Sequence, residues 1–289
     1  MAEPMVIVDT VMDARGACRE LRRGGRTLGL VPTMGALHEG HVSLVRAARE
    51  SCEVVVATIF VNPTQFAPGE DFAAYPRTFE ADCAMLQREG VDLVFAPAAA
   101  EMYPVGAATW VDVPEVGGRL DGASRPGHFR GVATVVSKLL HIVQPDKTFF
   151  GQKDAAQVAV LQAMVRDLNF DTELVVCPTV RETDGLAMSS RNRYLSAEER
   201  DRALALSRSL RVVGEMAAGG ELDAAVLRGA MLAELESTEG VRVDYAEVVD
   251  PGSLLPVSDV SDGAMAAVAA WVGKTRLIDN VLLAAGGVR

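Results

Sequence analysis

Apolar residues along the first two thirds of the chain alternate between two periods. Short strand-like runs at 27–31, 54–61, 92–95, 147–150 and 173–177 predict strands. The run at 54–61 is apolar almost throughout, as expected of a strand buried on both faces. Between the runs, 39–50, 78–89, 129–143 and 154–168 have helical spacing. In the first of these, Val42, Val45 and Ala48 share a face. Gly90, Pro97 and Pro145 fall where these elements should stop. This β-α-β-α order predicts a parallel sheet with helices on both faces. Ligands of such sheets bind beyond the carboxyl ends of the strands. The polar segments after Val31, Val61 and Phe150 lie at those ends.

The pattern changes near Pro178. Helical periods at 196–218 and 222–237 are separated by Gly219-Gly220. Three strand-like runs follow, at 241–249, 264–272 and 275–283, the last two split by the turn-compatible pair Gly273-Lys274. The expected fold is therefore α/β with a smaller C-terminal α+β domain, divided into 1–179 and 180–289. Residues 98–100 read as loop, and no internal repeat is visible.

Composition narrows the function classes. The 289 residues carry a net charge of −11, which disfavours a nucleic-acid surface, because phosphate backbones are held by clustered Lys and Arg. A single nucleotide needs only a local positive pocket. No stretch approaches the ~20 apolar residues of a membrane span. Residues 1–13 carry acids and no basic run, so neither a signal peptide nor a membrane setting is expected, and the reading is cytoplasmic. Cys18, Cys52, Cys83 and Cys177 form no C-x-x-C and read as reduced thiols.

Two motifs carry most of the chemical signal. Pro32-Thr33-Met34-Gly35-Ala36-Leu37-His38-Glu39-Gly40-His41 ends at a helix start, where free N–H groups and the dipole favour phosphate. His38 and His41 lie three apart and share a face, and Gly40 lets a ligand approach the backbone. A metal pair or two surface histidines are the alternatives. The spacing is not that of a zincin, and no third ligand is evident. Met188-Ser189-Ser190-Arg191-Asn192 offers hydroxyls and a guanidinium to phosphates, or is a solvated linker before the capping box Ser196/Glu199. Gly151-Gln152-Lys153-Asp154-Ala155-Ala156-Gln157 follows a strand and opens a helix. There Lys153 can place charge on phosphate and Asp154 can accept from ribose, or Asp154 simply favours the helix start. Asn62-Pro63-Thr64-Gln65-Phe66 suits a small polar substrate, or is plain turn chemistry.

Taken together, these segments resemble the pantothenate synthetase (pantoate–β-alanine ligase) family of the HIGH/KMSKS nucleotidyltransferase superfamily. Tyr75-Pro76-Arg77-Thr78, Val180-Arg181-Glu182 and the stretches 244–250 and 275–280 extend the resemblance through the chain. It implies a Rossmann-like N-terminal domain, a C-terminal lid and a homodimer. It also implies ATP, Mg²⁺, pantoate and β-alanine as ligands, and reaction through a pantoyl-adenylate. By the same resemblance His38, His41, Lys153, Ser189, Ser190 and Arg191 would serve the phosphates and the transition state. Pro32, Thr33, Met34, Gly40, Gly151, Asp154, Val180 and Met188 would line the nucleotide. Gln65 and Gln157 would hold pantoate, with Asn62, Arg125 and His128 on the substrate side. Asp82 would be an outer-shell magnesium partner. The superfamily's Lys-Met-Ser-Lys-Ser stands here as Ala187-Met188-Ser189-Ser190-Arg191, and Ala156 replaces a frequent Gln beside Gln157. The rivals are another nucleotidyltransferase, a silent nucleotide sensor and a metallohydrolase built on the two histidines.

Overall fold

The structure, a computed structural model, describes residues 5–67, 69–70, 72–284 and 287–288. Residues 1–4 of the stretch read for a signal peptide lie outside the described residues. In chain order the first elements are β1 (Val6–Val8), α1 (Val11–Leu21), β2 (Leu28–Thr33), α2 (Glu39–Ser51), β3 (Val54–Ile59), α3 (Phe79–Arg88) and β4 (Leu93–Phe95). Then follow α4 (Ala99–Met102), α5 (Pro114–Gly117), α6 (Asp121–Ser124), α7 (His128–Val143), β5 (Lys147–Gly151), α8 (Ala155–Asp167) and β6 (Glu173–Cys177). The last are α9 (Ala197–Ala218), α10 (Ala224–Glu236), β7 (Val241–Val249), β8 (Ala264–Val272), β9 (Thr275–Ala284) and β10 (Gly287–Val288). Among the described residues, no helix is long and apolar enough to cross a membrane.

The chain forms two compact units. The first comprises Met1–Gly117, Arg125–Gly151 and Val160–Pro178, and the second Gly118–Ser124, Gln152–Ala159 and Thr179–Arg289.

In the first unit six strands pair in parallel in the order β1-β4-β3-β2-β5-β6. This is the parallel sheet that the alternating pattern predicts. Leu28, Leu30, Val31 and Val54 to Ala57 are wholly buried, so both faces are covered. On one face Leu44, Val45 and Ala48 of α2 pack on Val31, Val55, Ala57, Val94 and Phe149. The strand order reverses between β2 and β5, a topological switch point of the kind at which ligands bind. β1 has no signature in the sequence: three residues are too few to show a period, and the strand exists through pairing with β4. Residues 98–100, expected as loop, run into α4 instead.

In the second unit the sheet is antiparallel, in the order β10-β9-β8-β7. The β8–β9 hairpin turns at Gly273, which has a φ of +57°. Successive strand residues face opposite sides. On β9, Leu277 and Leu283 join Leu206, Leu210, Leu227 and Met231 of α9 and α10 in the apolar core. The other face carries Arg276 and Asn280. Arg276 donates to Asp121 at 2.6 Å and to Asp244 at 2.7 and 3.0 Å. A bulge between Val243 and Tyr245 leaves Asp244 out of register, and Tyr245 also reaches Asp121, at 3.2 Å. Asn280 donates to the carbonyls of Gln152 and Lys153, both at 2.9 Å. These bonds explain why 118–124 and 152–159 belong with the C-terminal sheet. Neither segment is long enough to announce that membership by periodicity.

Candidate active site

The first unit places the His38–His41 motif where β2 gives way to α2. The turn between them has positive φ at Gly35 and Ala36, +80° and +51°. Thr33 secures its entry, donating to the Thr58 carbonyl at 2.6 Å and accepting from Gly35 N–H at 3.1 Å. The turn wraps a buried carboxylate. Asp82, 2% exposed, accepts from the backbone N–H of Ala36 and Leu37, both at 2.9 Å, and from the Thr78 hydroxyl at 3.1 Å. This gives Asp82 a different task from the outer-shell metal role expected of it. Each of its oxygens accepts from a backbone N–H that shapes the turn.

His38 is the N-cap of α2. Its Nδ1 accepts from Gly40 N–H at 3.2 Å, and His41 Nδ1 accepts from His38 N–H at 3.3 Å. This is a capping box made of two imidazoles. A nitrogen that accepts cannot carry the proton, so each neutral ring bears it on Nε2. The ring centroids are 4.2 Å apart. Gly40 lies in the first turn, its carbonyl accepting from Ser43 at 2.8 Å. Pro32 lies in β2 itself.

The turn after β3 joins several expected residues. Gln65 reaches Met34 Sδ at 3.1 Å through Nε2 and accepts from Asn62 Nδ2 at 3.0 Å through Oε1. Asn62 is 1% exposed and also binds the Gly131 carbonyl, the Thr64 hydroxyl and the Tyr103 hydroxyl. Its amide is occupied in building the turn, which favours the turn reading over a ligand role. Arg125 pairs with both oxygens of Glu70, at 2.8 and 2.6 Å, and contacts His128 Nε2 at 3.0 Å. Arginine can only donate, so His128 Nδ1 carries a hydrogen to the Gln65 carbonyl at 2.7 Å. Burial raises the Glu70 carboxyl, but the guanidinium outweighs it and holds the group below its usual range. Arg125 and His128 therefore support Gln65 from behind.

The second unit holds the remaining residues. β5 ends at Gly151, and Gln152–Asp154 forms one 3-10 turn before α8. Lys153 Nζ lies 3.2 Å from Asp154 Oδ1, and its side chain is 19% exposed. Gln157 is half-buried in the first turns of α8. Val180 accepts from Met188 N–H at 2.9 Å, closing the short hairpin that precedes Ser189–Arg191. Ser189 caps the next turn, accepting from Arg191 N–H at 3.2 Å, and Ser190 and Arg191 are half-buried in that turn. The hairpin is braced from three sides. Arg181 makes a bidentate pair with Asp279 at 2.6 and 3.0 Å. Arg200 bridges Glu182 at 2.6 Å and Asp184 at 2.7 Å. Asn192 donates to Glu182 and to the Ala187 carbonyl. Desolvation raises the Asp184 carboxyl, but the Leu186 N–H and Arg200 together carry it below its usual range.

Sequence reasoning assigned no part to Glu70, Asp279 or Asn280. Glu70 lies just beyond the Asn62–Phe66 turn, while Asp279 and Asn280 fall in the stretch 275–280, which carries the resemblance without a role for either; nothing in their local spacing sets them apart from solvated polar residues. The four cysteines are buried and unpaired, and burial pushes each thiol up, Cys18 to about 11. None has the electropositive, partly exposed setting of a nucleophile.

The family model for pantoate-beta-alanine ligase matches residues 6–282. A pantothenate synthetase from Acidobacterium capsulatum is 63% identical over 286 residues, covering 95% of this chain and 96% of that protein. One from Koribacter versatilis is 56% identical, covering 98% and 97%. The crystal structure of pantothenate synthetase from Thermus thermophilus superposes with a TM-score of 0.91 at 49% identity, covering 96% of this chain and 98% of that one. The Francisella tularensis pantoate-beta-alanine ligase, solved in complex with beta-gamma ATP and beta-alanine, gives 0.78 at 34% identity, covering 96% and 97%.

Proposed function

This chain is an enzyme that belongs to the pantoate-beta-alanine ligase family, and on that footing we propose that it condenses pantoate with β-alanine through a pantoyl-adenylate. A pantoate carboxylate oxygen bonds to the α-phosphorus of ATP as the α–β phosphoanhydride breaks and pyrophosphate leaves. The β-alanine nitrogen then bonds to the acyl carbon as the bond to AMP breaks, and the amine proton passes to solvent.

The observation that carries this reading is the double imidazole cap of α2. Backbone amides occupy both Nδ1 atoms, which makes Nε2–H the donor of each neutral ring. Two donors fixed by the backbone at a helix N-terminus suit phosphate oxygens. Pantoate is ionised at neutral pH, so the first step needs charge neutralisation and alignment and no general base. Lys153 and Arg191 supply positive charge, and Ser189 and Ser190 hydroxyl donors. Gln65, held by Asn62, Met34 and the His128 bond to its carbonyl, has an amide suited to the pantoate hydroxyls, with Gln157 as a second.

Among the described residues, no group of three or more His, Cys, Asp or Glu could hold a metal ion. With Asp82 committed to backbone amides, this chain's residues do not fit a protein-held Mg²⁺. Magnesium enters as the counter-ion of ATP, bound by the phosphates.

The test is exchange of labelled pyrophosphate into ATP with pantoate present and β-alanine absent. Pantoate-dependent exchange is expected. Its absence in folded, ATP-binding protein overturns the adenylate route. Lys153→Ala and His41→Asn should each lower exchange ~10²-fold, the scale of one preorganised stabiliser. In His41→Asn the side-chain oxygen stands in for the Nδ1 that accepts from His38 N–H at the third position of the capping box, so the loss reports the imidazole and not the helix start.

A further inference from the structure

Lys153 sits on a one-turn 3-10 segment, Gln152–Asp154, that joins the end of β5 to the start of α8. A further brace on its carbonyls comes from 127 residues further along the chain. Asn280 lies on β9, 4% exposed, on the face opposite the apolar core. Its Nδ2 carries two hydrogens, and each has a carbonyl: Gln152 at 2.9 Å and Lys153 at 2.9 Å. Its Oδ1 accepts from Gln152 Nε2 at 2.9 Å, which orients the amide so that both hydrogens face the turn. Asn280 N–H in turn donates to Asp279 Oδ1 at 2.8 Å. The donors and acceptor of this side chain are thus matched to one target, the peptide groups that carry Lys153.

We propose that Asn280 is a positioning residue for Lys153, clamping the carbonyls of residues 152 and 153 so that the ammonium is presented to the ATP phosphates in one geometry. The proposal rests on the reading of Lys153 as a phosphate-stabilising residue. Two consecutive carbonyls leave little choice of side chain. Serine or threonine has one hydrogen to give, and aspartate would set an oxygen against both carbonyls. The neighbouring residue does comparable work on the opposite face of the strand, where Asp279 grips Arg181 at the base of the hairpin leading to Ser189–Arg191. One strand thereby braces both phosphate-facing segments of the second unit.

A merely structural asparagine would lower stability and leave turnover per folded molecule intact. A positioning asparagine should instead lower kcat. A shift of about 1 Å in an aligned group costs on the order of 10²-fold. The experiment is a double-mutant cycle on pantoyl-adenylate formation, measured in single turnovers with enzyme in excess and corrected for folded fraction. Asn280→Ala should lose ~10- to 100-fold in rate, with KM for ATP changed by less than ~3-fold. In the Lys153→Ala background the same substitution should cost less than ~2-fold, because a residue acting through Lys153 has nothing left to position. Should Asn280→Ala fail to fold, Asn280→Ser serves in its place, since it stays neutral and polar but has one hydrogen to give where the turn takes two. Equal losses in the two backgrounds, or full activity of a folded Asn280 variant, would overturn the proposal. Full activity of Lys153→Ala by itself would instead overturn the role assigned to the lysine.

Discussion

Asp82 meets two backbone amides and a hydroxyl at the one place where the chain must turn with positive φ before α2. Removing the carboxylate strands two buried N–H groups, each costing ~1–3 kcal/mol. Asp82→Ala should therefore lose ~3 kcal/mol in urea unfolding and lower adenylation by loosening the approach to His38. The concentration of Mg²⁺ giving half-maximal activity should not move. A shift of tenfold or more in that concentration would return Asp82 to a metal role. The same reasoning separates the two histidines from ordinary surface residues. Their Nδ1 atoms are spent on the backbone, so any exchange of imidazole for another group changes the helix start and the chemistry together unless the cap is kept.

At the scale of elements, α7 and the turn after β3 meet without a side chain between them. A Cβ at Gly131 would overlap the Thr64 carbonyl, and Asn62 donates to the Gly131 carbonyl at 3.2 Å. The glycine is there for close approach and not for a special φ. Gly131→Ala should drive α7 away from the turn that carries Gln65, costing ~1–3 kcal/mol as overpacking does. It should also raise KM for pantoate more than KM for ATP, as initial rates against each substrate would show. Equal effects on both would mean that the turn does not serve pantoate. The strand β9 illustrates the opposite device. Its alternation sends Leu277 and Leu283 into the core while Arg276 and Asn280 gather two distant segments.

At the scale of the whole molecule, the second unit is assembled from three stretches of chain, and buried charge joins them. Arg276 lies between Asp121 and Asp244, with Tyr245 against Asp121. Burial raises the phenol of Tyr245 well above its usual range, and the Asp121 charge adds to that. Taking away the cation leaves two carboxylates facing each other beside a buried hydroxyl. Arg276→Met should cost ~3–5 kcal/mol, the scale for breaking a buried pair from one side. Hydrogen exchange should then show 118–124 opening before β7 to β9. Opening of the sheet first would mean that the segment is held by something other than this cluster.

Much of this was legible in residue order. The runs at 54–61 and 147–150, and the helices between strands, come from burial on two faces and on one. Burial leaves a period in the sequence, so a parallel sheet and the strand ends where the motifs sit follow from the pattern alone. The motifs themselves are local, with His38 and His41 three residues apart. Asp82 beneath the turn, Glu70 behind Arg125 and Asn280 over Lys153 were decided only by the tertiary structure. Their bonds join residues 46, 55 and 127 positions apart. A hydrogen bond between distant residues leaves no period in either segment, because one donor and one acceptor suffice and neither repeats.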